Sequence, residues 1–132
     1  MGQLATPNQG RRRIVVAEDD TEMRTLLCEM MRRDGFEVRE ARDGGELLLV
    51  LEDVCMRGVS PDLIVSDIRM PGCNGLDLLW AMREADILLP VILITAFSDR
   101  QVRDRARRGG ALLVDKPLDF DDLRRIVREV LP

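Results

Sequence analysis

Five short apolar runs, each ending where a segment of helical period begins, constrain the fold of this chain more than any other feature. They are Ile14-Val15-Val16-Ala17, Phe36 to Val38, Leu63-Ile64-Val65, Val91-Ile92-Leu93-Ile94 and Ala111-Leu112-Leu113-Val114. Four are nearly continuous rather than alternating, the pattern of strands covered on both faces of a parallel sheet. The second, with Glu37 and Arg39 interleaved, alternates and is expected at an edge. Helical period runs over Thr21 to Arg33, Gly45 to Arg57, Leu76 to Ala85, Asp99 to Arg108 and Asp119 to Val130. Leu26, Leu27, Met30 and Met31 form the expected apolar stripe of the first helix. In the last, Leu123, Ile126, Val127 and Val130 do the same behind the acidic turn Asp119, Asp121 and Asp122. Crossovers of this length predict a doubly wound α/β domain in three layers, a five-stranded parallel sheet with five helices.

A length of 132 residues fits one domain of that kind, and 45% hydrophobic with 33% charged residues is a globular composition. The formal net charge of -4 argues against bulk nucleic-acid binding by this chain. The longest uncharged stretch, Ile87 to Ser98, is interrupted by Pro90 and falls short of the roughly 20 apolar residues of a membrane span, so no membrane partner is expected. Residues 1–12 read as a flexible polar tail ahead of a domain over 13–132. Gly2 and Thr6 match a short myristoylation pattern in front of Arg11, Arg12 and Arg13, a weaker reading than a plain leader.

Histidine is absent from the sequence, which removes imidazole bases, His metal ligands and a phosphohistidine carried on this chain. Three scattered cysteines without a C-x-x-C pair support neither a disulfide framework nor a zinc knuckle, and a reducing cytoplasm is the natural setting. Cys28 and Cys55 read as small hydrophobes, and Cys73, in a turn-like segment, as the more reactive thiol.

In open parallel sheets ligands bind beyond the carboxyl ends of the strands. There the sequence places Glu18-Asp19-Asp20, Ser66-Asp67, Thr95-Ala96 and Asp115-Lys116-Pro117. Each taken singly has an ordinary reading, as a helix cap or a solvated strand end. Together they bring carboxylates from neighbouring strands into mutual repulsion, which a hard, oxygen-loving cation such as magnesium relieves. Lys116 is the one lysine among 20 basic residues, and a compact ammonium can track a phosphoryl group where a planar guanidinium demands fixed geometry.

With these residues in place the chain resembles the receiver domain of bacterial two-component response regulators, from about Arg13 to Leu131. The carrying motifs are I-V-V-A-E-D-D-T-E-M-R, D-L-I-V-S-D-I-R-M-P-G-C-N-G-L-D-L-L, I-L-I-T-A and D-K-P-L. The resemblance implies a flavodoxin-like strand order 2-1-3-4-5. It implies Asp67 as phosphoacceptor, with Glu18, Asp19, Asp67 and the backbone carbonyl of Arg69 as ligands of Mg2+, for which Mn2+ can substitute. Thr95 is then the switch hydroxyl and Lys116 its amine partner, followed by Pro117 in a cis peptide. The phosphoryl group would come in trans from a phosphohistidine on a sensor histidine kinase or phosphotransfer protein. The domain would catalyse its own phosphorylation and slow dephosphorylation in the cytoplasm and act on a downstream effector or output domain, with homodimerisation on phosphorylation left open.

Three positions depart from or refine that pattern. Leu113 stands where the family often has an aromatic ring, and Arg69 and Phe97 occupy the two places beside the expected water path. Neither Arg69 nor Phe97 can orient a nucleophilic water, so a long-lived phosphorylated state is expected. A phosphorylation-independent interaction module is the alternative, which the intact set Glu18, Asp19, Asp67, Thr95 and Lys116 disfavours. A hydrolytic phosphatase would want a second acid where Arg69 stands.

Overall fold

The computed structural model describes residues 10–132. Twelve elements follow one another: β1 (Arg13–Ala17), α1 (Thr21–Arg33), β2 (Glu37–Ala41), α2 (Gly44–Arg57), β3 (Leu63–Asp67), β4 (Arg69–Met70), β5 (Cys73–Asn74), α3 (Gly75–Glu84), β6 (Val91–Thr95), α4 (Arg100–Arg108), β7 (Leu112–Asp115) and α5 (Phe120–Val130). The myristoylation pattern at Gly2 and Thr6 and most of the expected tail lie outside the described residues.

Five strands form one parallel sheet in the order β2-β1-β3-β6-β7, which is 2-1-3-4-5 when only sheet strands are counted. Because side chains alternate across a strand, the core divides in two. Ile14, Val16, Leu63, Val65, Ile92 and Ile94 meet α1 and α5 on one face. Val15, Ala17, Ile64, Val91 and Leu93 meet α2, α3 and α4 on the other. Each helix begins with an Asx cap whose side chain accepts a backbone N–H of the first turn: Asp20, Asp43, Asn74, Asp99 and Asp119.

The structure corrects several details of the sequence reading. The buried face of α1 is Arg24, Leu27, Cys28 and Met31, whereas Leu26 is 49% exposed. The period was displaced because a charged residue occupies one core position. The fifth run lies at the sheet edge, as the order 2-1-3-4-5 implies, and is less buried than its aliphatic character suggests: Leu113 and Val114 are half-buried against opposite cores and Leu112 is 49% exposed. Cys55 is exposed on α2, although Cys28 is buried as expected. Cys73 is half-buried, and its thiol is pushed up by burial and by Asp77, so it carries less thiolate than a free cysteine.

Between β3 and α3 lies a two-stranded antiparallel hairpin, Arg69↔Asn74 and Met70↔Cys73, turning at Pro71 and Gly72. Gly72 has φ 72, a left-handed value that suits glycine.

Candidate functional site

The strand order and the crossovers bring the carboxyl ends of β1, β3, β6 and β7 to one edge, and an open pocket there is lined by Glu18, Asp19, Asp20, Asp67, Arg69, Thr95, Ala96, Phe97 and Lys116. Glu18, Asp19, Asp67, Arg69, Thr95 and Lys116, expected at the site from the sequence, are thus in one place. Glu18 follows β1, Asp67 and Thr95 are the last residues of β3 and β6, and Lys116 follows β7.

Asp67 is 5% exposed at the floor. Lys116 Nζ donates to its Oδ2 at 3.0 Å and stands 3.7 Å from Glu18 Oε1. Burial pulls the Lys116 amine down, but the hydrogen bond and charge of Asp67 outweigh this, with Glu18 and Asp19 adding to them, so its pKa is raised and the amine stays protonated. Glu18 is buried, and its Oε2 accepts the Asp20 N–H at 3.1 Å. Its Oε1 is buried without a hydrogen-bond partner. Burial first, then the facing Asp67 carboxylate, pushes the Glu18 carboxyl up to about 8. One oxygen each from Glu18, Asp19 and Asp67 lie within 4.8 Å of one another. An all-oxygen donor set with an orphaned buried carboxylate oxygen fits a hard divalent cation.

Asp20 belongs to the helix rather than to this trio, since its side chain accepts the Glu22 N–H as the α1 cap. Asp115, next to Lys116, also turns away and accepts from Ser98 Oγ at 2.5 Å. The Thr95 hydroxyl is buried in its own loop, donating to the Phe97 carbonyl at 3.0 Å and accepting the Phe97 N–H at 3.1 Å. Arg69 at the start of β4 stacks on Phe97 of the β6–α4 loop, its guanidinium carbon 5.3 Å from the ring centroid, so the two side chains meet at the pocket rim. The Lys116–Pro117 peptide is cis.

Two residues that matter here were missed from the sequence. Gly75 packs against the end of β3 so closely that a Cβ would lie 2.6 Å from the Asp67 carbonyl oxygen, which leaves glycine as the fitting residue. Arg24 is buried beneath the β1–α1 turn and donates to the Glu18 carbonyl at 2.9 Å. Its signal was a charged residue at the core-facing period of α1.

A doubly wound parallel sheet with an acidic trio and a lysine at its carboxyl edge defines the class, and the chain belongs to the response regulator receiver domain family, whose model matches residues 14–128. It is accordingly a phosphoacceptor module of two-component signalling. Among its relatives, the transcriptional regulatory protein PdtaR of Mycobacterium tuberculosis is 38% identical over 114 residues, 85% of this chain and 53% of that protein. The sporulation initiation phosphotransferase F of Bacillus subtilis is 30% identical over 91% of this chain and 94% of its own length. The solved response regulator TrrA of Thermotoga maritima, in complex with Mg2+-BeF, superposes with a TM-score of 0.75 at 29% identity, covering 90% of this chain and 98% of that one. The chain spans about half the length of PdtaR. Among the described residues no helix is long and apolar enough to cross a membrane.

Proposed function

We propose that Asp67 accepts a phosphoryl group from a phosphohistidine of a sensor histidine kinase or phosphotransfer protein. The observation that carries this reading is the Lys116 ammonium 3.0 Å from Asp67 Oδ2 in a pocket that Glu18 and Asp19 also line. An Asp67 oxygen attacks the phosphorus, the P–N bond breaks, the imidazole leaves with the electron pair, and an acyl phosphate remains. Lys116 neutralises charge on a phosphoryl oxygen as it develops.

Glu18, Asp19, Asp67 and the Arg69 backbone carbonyl are the ligands we assign to Mg2+, or Mn2+ in its place. When bound, such an ion supplies positive charge to the phosphoryl oxygens. The Mg2+-BeF complex of the Thermotoga maritima relative supports the assignment. Lys116 balances the charge of Asp67 at 3.0 Å and stands 3.7 Å from Glu18.

Thr95 is the switch residue in this reading. Its hydroxyl would leave the Phe97 loop for the phosphoryl group, and the loop before α4 would follow. Leu113 offers no aromatic ring to report the movement, so the change is passed on through the loop, α4 and the half-covered face of β7. The domain, taken as 13–132, would work in the cytoplasm and control a partner or an output domain. PdtaR, about twice as long, is named a transcriptional regulator and supports the second.

Incubation with a small acyl phosphate donor and Mg2+ is expected to add one phosphoryl group, read by intact mass. Asp67→Asn should remain unlabelled. Labelling of that variant to the parent level would refute the assignment, and absence of labelling in the parent would favour a phosphorylation-independent module.

A further inference from the structure

Arg24 is the charged residue that the pocket does not use directly. It occupies the first position of the core-facing series Arg24, Leu27, Cys28 and Met31 on α1 and is only 7% exposed. A guanidinium is tolerated at such a place only where its donors find acceptors. Nη1 donates to the Glu18 carbonyl at 2.9 Å, and Nε donates to Glu40 Oε1 on β2 at 3.1 Å. Glu40 is held in turn by Arg32, whose Nη2 lies 3.3 Å from Oε2. The N–H of Glu18 donates to the Ala41 carbonyl of β2 at 3.0 Å. Glu18 is therefore tied on both of its peptide groups, once to the neighbouring strand and once to Arg24.

The carbonyl that Arg24 holds belongs to the peptide joining Glu18 to Asp19. A peptide unit is planar, so fixing its oxygen fixes the orientation of the plane from which the Asp19 Cα departs. Asp19 needs this more than its neighbour does. Glu18 is locked by burial, whereas Asp19 is exposed and has little packing to aim it. We propose that Arg24, with Glu40 as its counter-ion, is a positioning residue that sets the Glu18–Asp19 peptide so that the Asp19 carboxylate faces Asp67. This inference rests on reading Glu18, Asp19 and Asp67 as the cation ligands.

An arginine suits the place because its fork serves two acceptors lying in different directions, while a lysine offers one ammonium. Partners behind the ligands of a metal are typically worth 10- to 100-fold in affinity. Arg24→Ala is accordingly expected to weaken Mn2+ binding by about tenfold, read by electron paramagnetic resonance of the free ion. Arg24→Lys should fall between that variant and the parent. Labelling of Asp67 in Arg24→Ala, at a temperature where circular dichroism shows the metal-free variant fully folded, should be slow at low Mg2+ and return toward the parent rate at saturating Mg2+, a split that loss of fold stability does not then explain.

Asp19→Asn is the control. If it loses Mn2+ affinity while folded Arg24→Ala binds as tightly as the parent, the positioning role is overturned and the cation site stands. If Asp19→Asn also binds as the parent does, the cation site itself is refuted and the inference falls with it. Should Arg24→Ala fail to fold, Arg24→Lys and Glu40→Gln decide the matter: weaker Mn2+ binding in both supports the role, and parental affinity in both overturns it.

Discussion

Lys116 and the arginines around it illustrate how much depends on the shape of a single cation. Its ammonium reaches Asp67 and Glu18 together from a stem that can follow a moving phosphoryl group, which a planar guanidinium cannot do without a fixed bidentate partner. Lys116→Arg is therefore expected to slow phosphoryl acceptance by Asp67 at least about tenfold, the equivalent of roughly 1.4 kcal/mol of barrier, with Mn2+ binding retained. Equal labelling rates for parent and variant would show that any positive charge suffices. Arg69 and Phe97 stack at the pocket rim, and although Phe97 is 68% exposed, neither offers a carboxylate or carboxamide to hold a water in line. Phe97→Glu and Arg69→Asn should each speed loss of the phosphoryl group, by about tenfold, and an unchanged decay in the double variant would mean that these chains do not gate the water. Glu18, Asp19, Asp67, Thr95 and Lys116 were legible in the sequence because each follows or ends an aliphatic run, so strand register alone brings them to one edge. The Arg69–Phe97 stack and the Arg24–Glu18 bond were not. Both join segments far apart in the folded path or residues whose charge reads as solvated on a one-dimensional pattern.

At the level of elements, helix starts were read to within a residue because every helix here is capped by Asp or Asn, a signal that is local and chemical. The hairpin β4–β5 went unread since strands of two residues have no period to detect. β7 is less buried than its apolar run suggests because a run alone does not say how much of an edge strand the helices will cover. α4 holds Arg100, Arg103, Arg105, Arg107 and Arg108 while Val102 and Ala106 face the core, and among the described residues Arg105 pairs with Asp77 and Arg107 with Asp104. Arg103→Glu with Arg107→Glu is expected to weaken an acidic partner at low salt, and unchanged affinity would leave the helix as a solvated face. α1 and α5 are joined by Asp34, which takes two hydrogen bonds from Arg124 at 2.9 and 2.8 Å. The bond to Arg124 holds the Asp34 carboxyl below its ordinary range, burial only partly opposing it. A carboxylate lowered in the folded state contributes fully above its unfolded pKa, and the contribution fades as pH falls through the folded value. Asp34→Asn should therefore lower the urea midpoint at pH 7 and converge on the parent in strong acid; an equal deficit at both pH values would mean that packing, not charge, is lost.

For the molecule as a whole, the acidic trio makes stability depend on pH and cation together. Burial and the facing Asp67 hold a proton on Glu18 up to about 8, against an ordinary value of 4.5. Between those limits the metal-free folded chain binds a proton that the unfolded chain has released. Stability must then fall as pH rises across that window, and at this site it is level below 4.5 and above 8 because both states are protonated or both ionised. A divalent cation held by the trio as we propose would reverse the balance. It would favour the ionised, folded state, so its mass-action stabilisation would grow as the proton is lost. The melting temperature in chelator is expected to drop by several degrees from pH 5.5 to pH 8.5, and excess Mg2+ should flatten the profile by raising its alkaline end. Glu18→Gln removes the titrating group without changing the shape of the side chain. That variant should be level across the same range without metal, more stable than the parent at pH 8.5 in chelator, and little helped by Mg2+. A metal-free slope in Glu18→Gln as steep as in the parent would place the proton elsewhere and sink the proposed coupling.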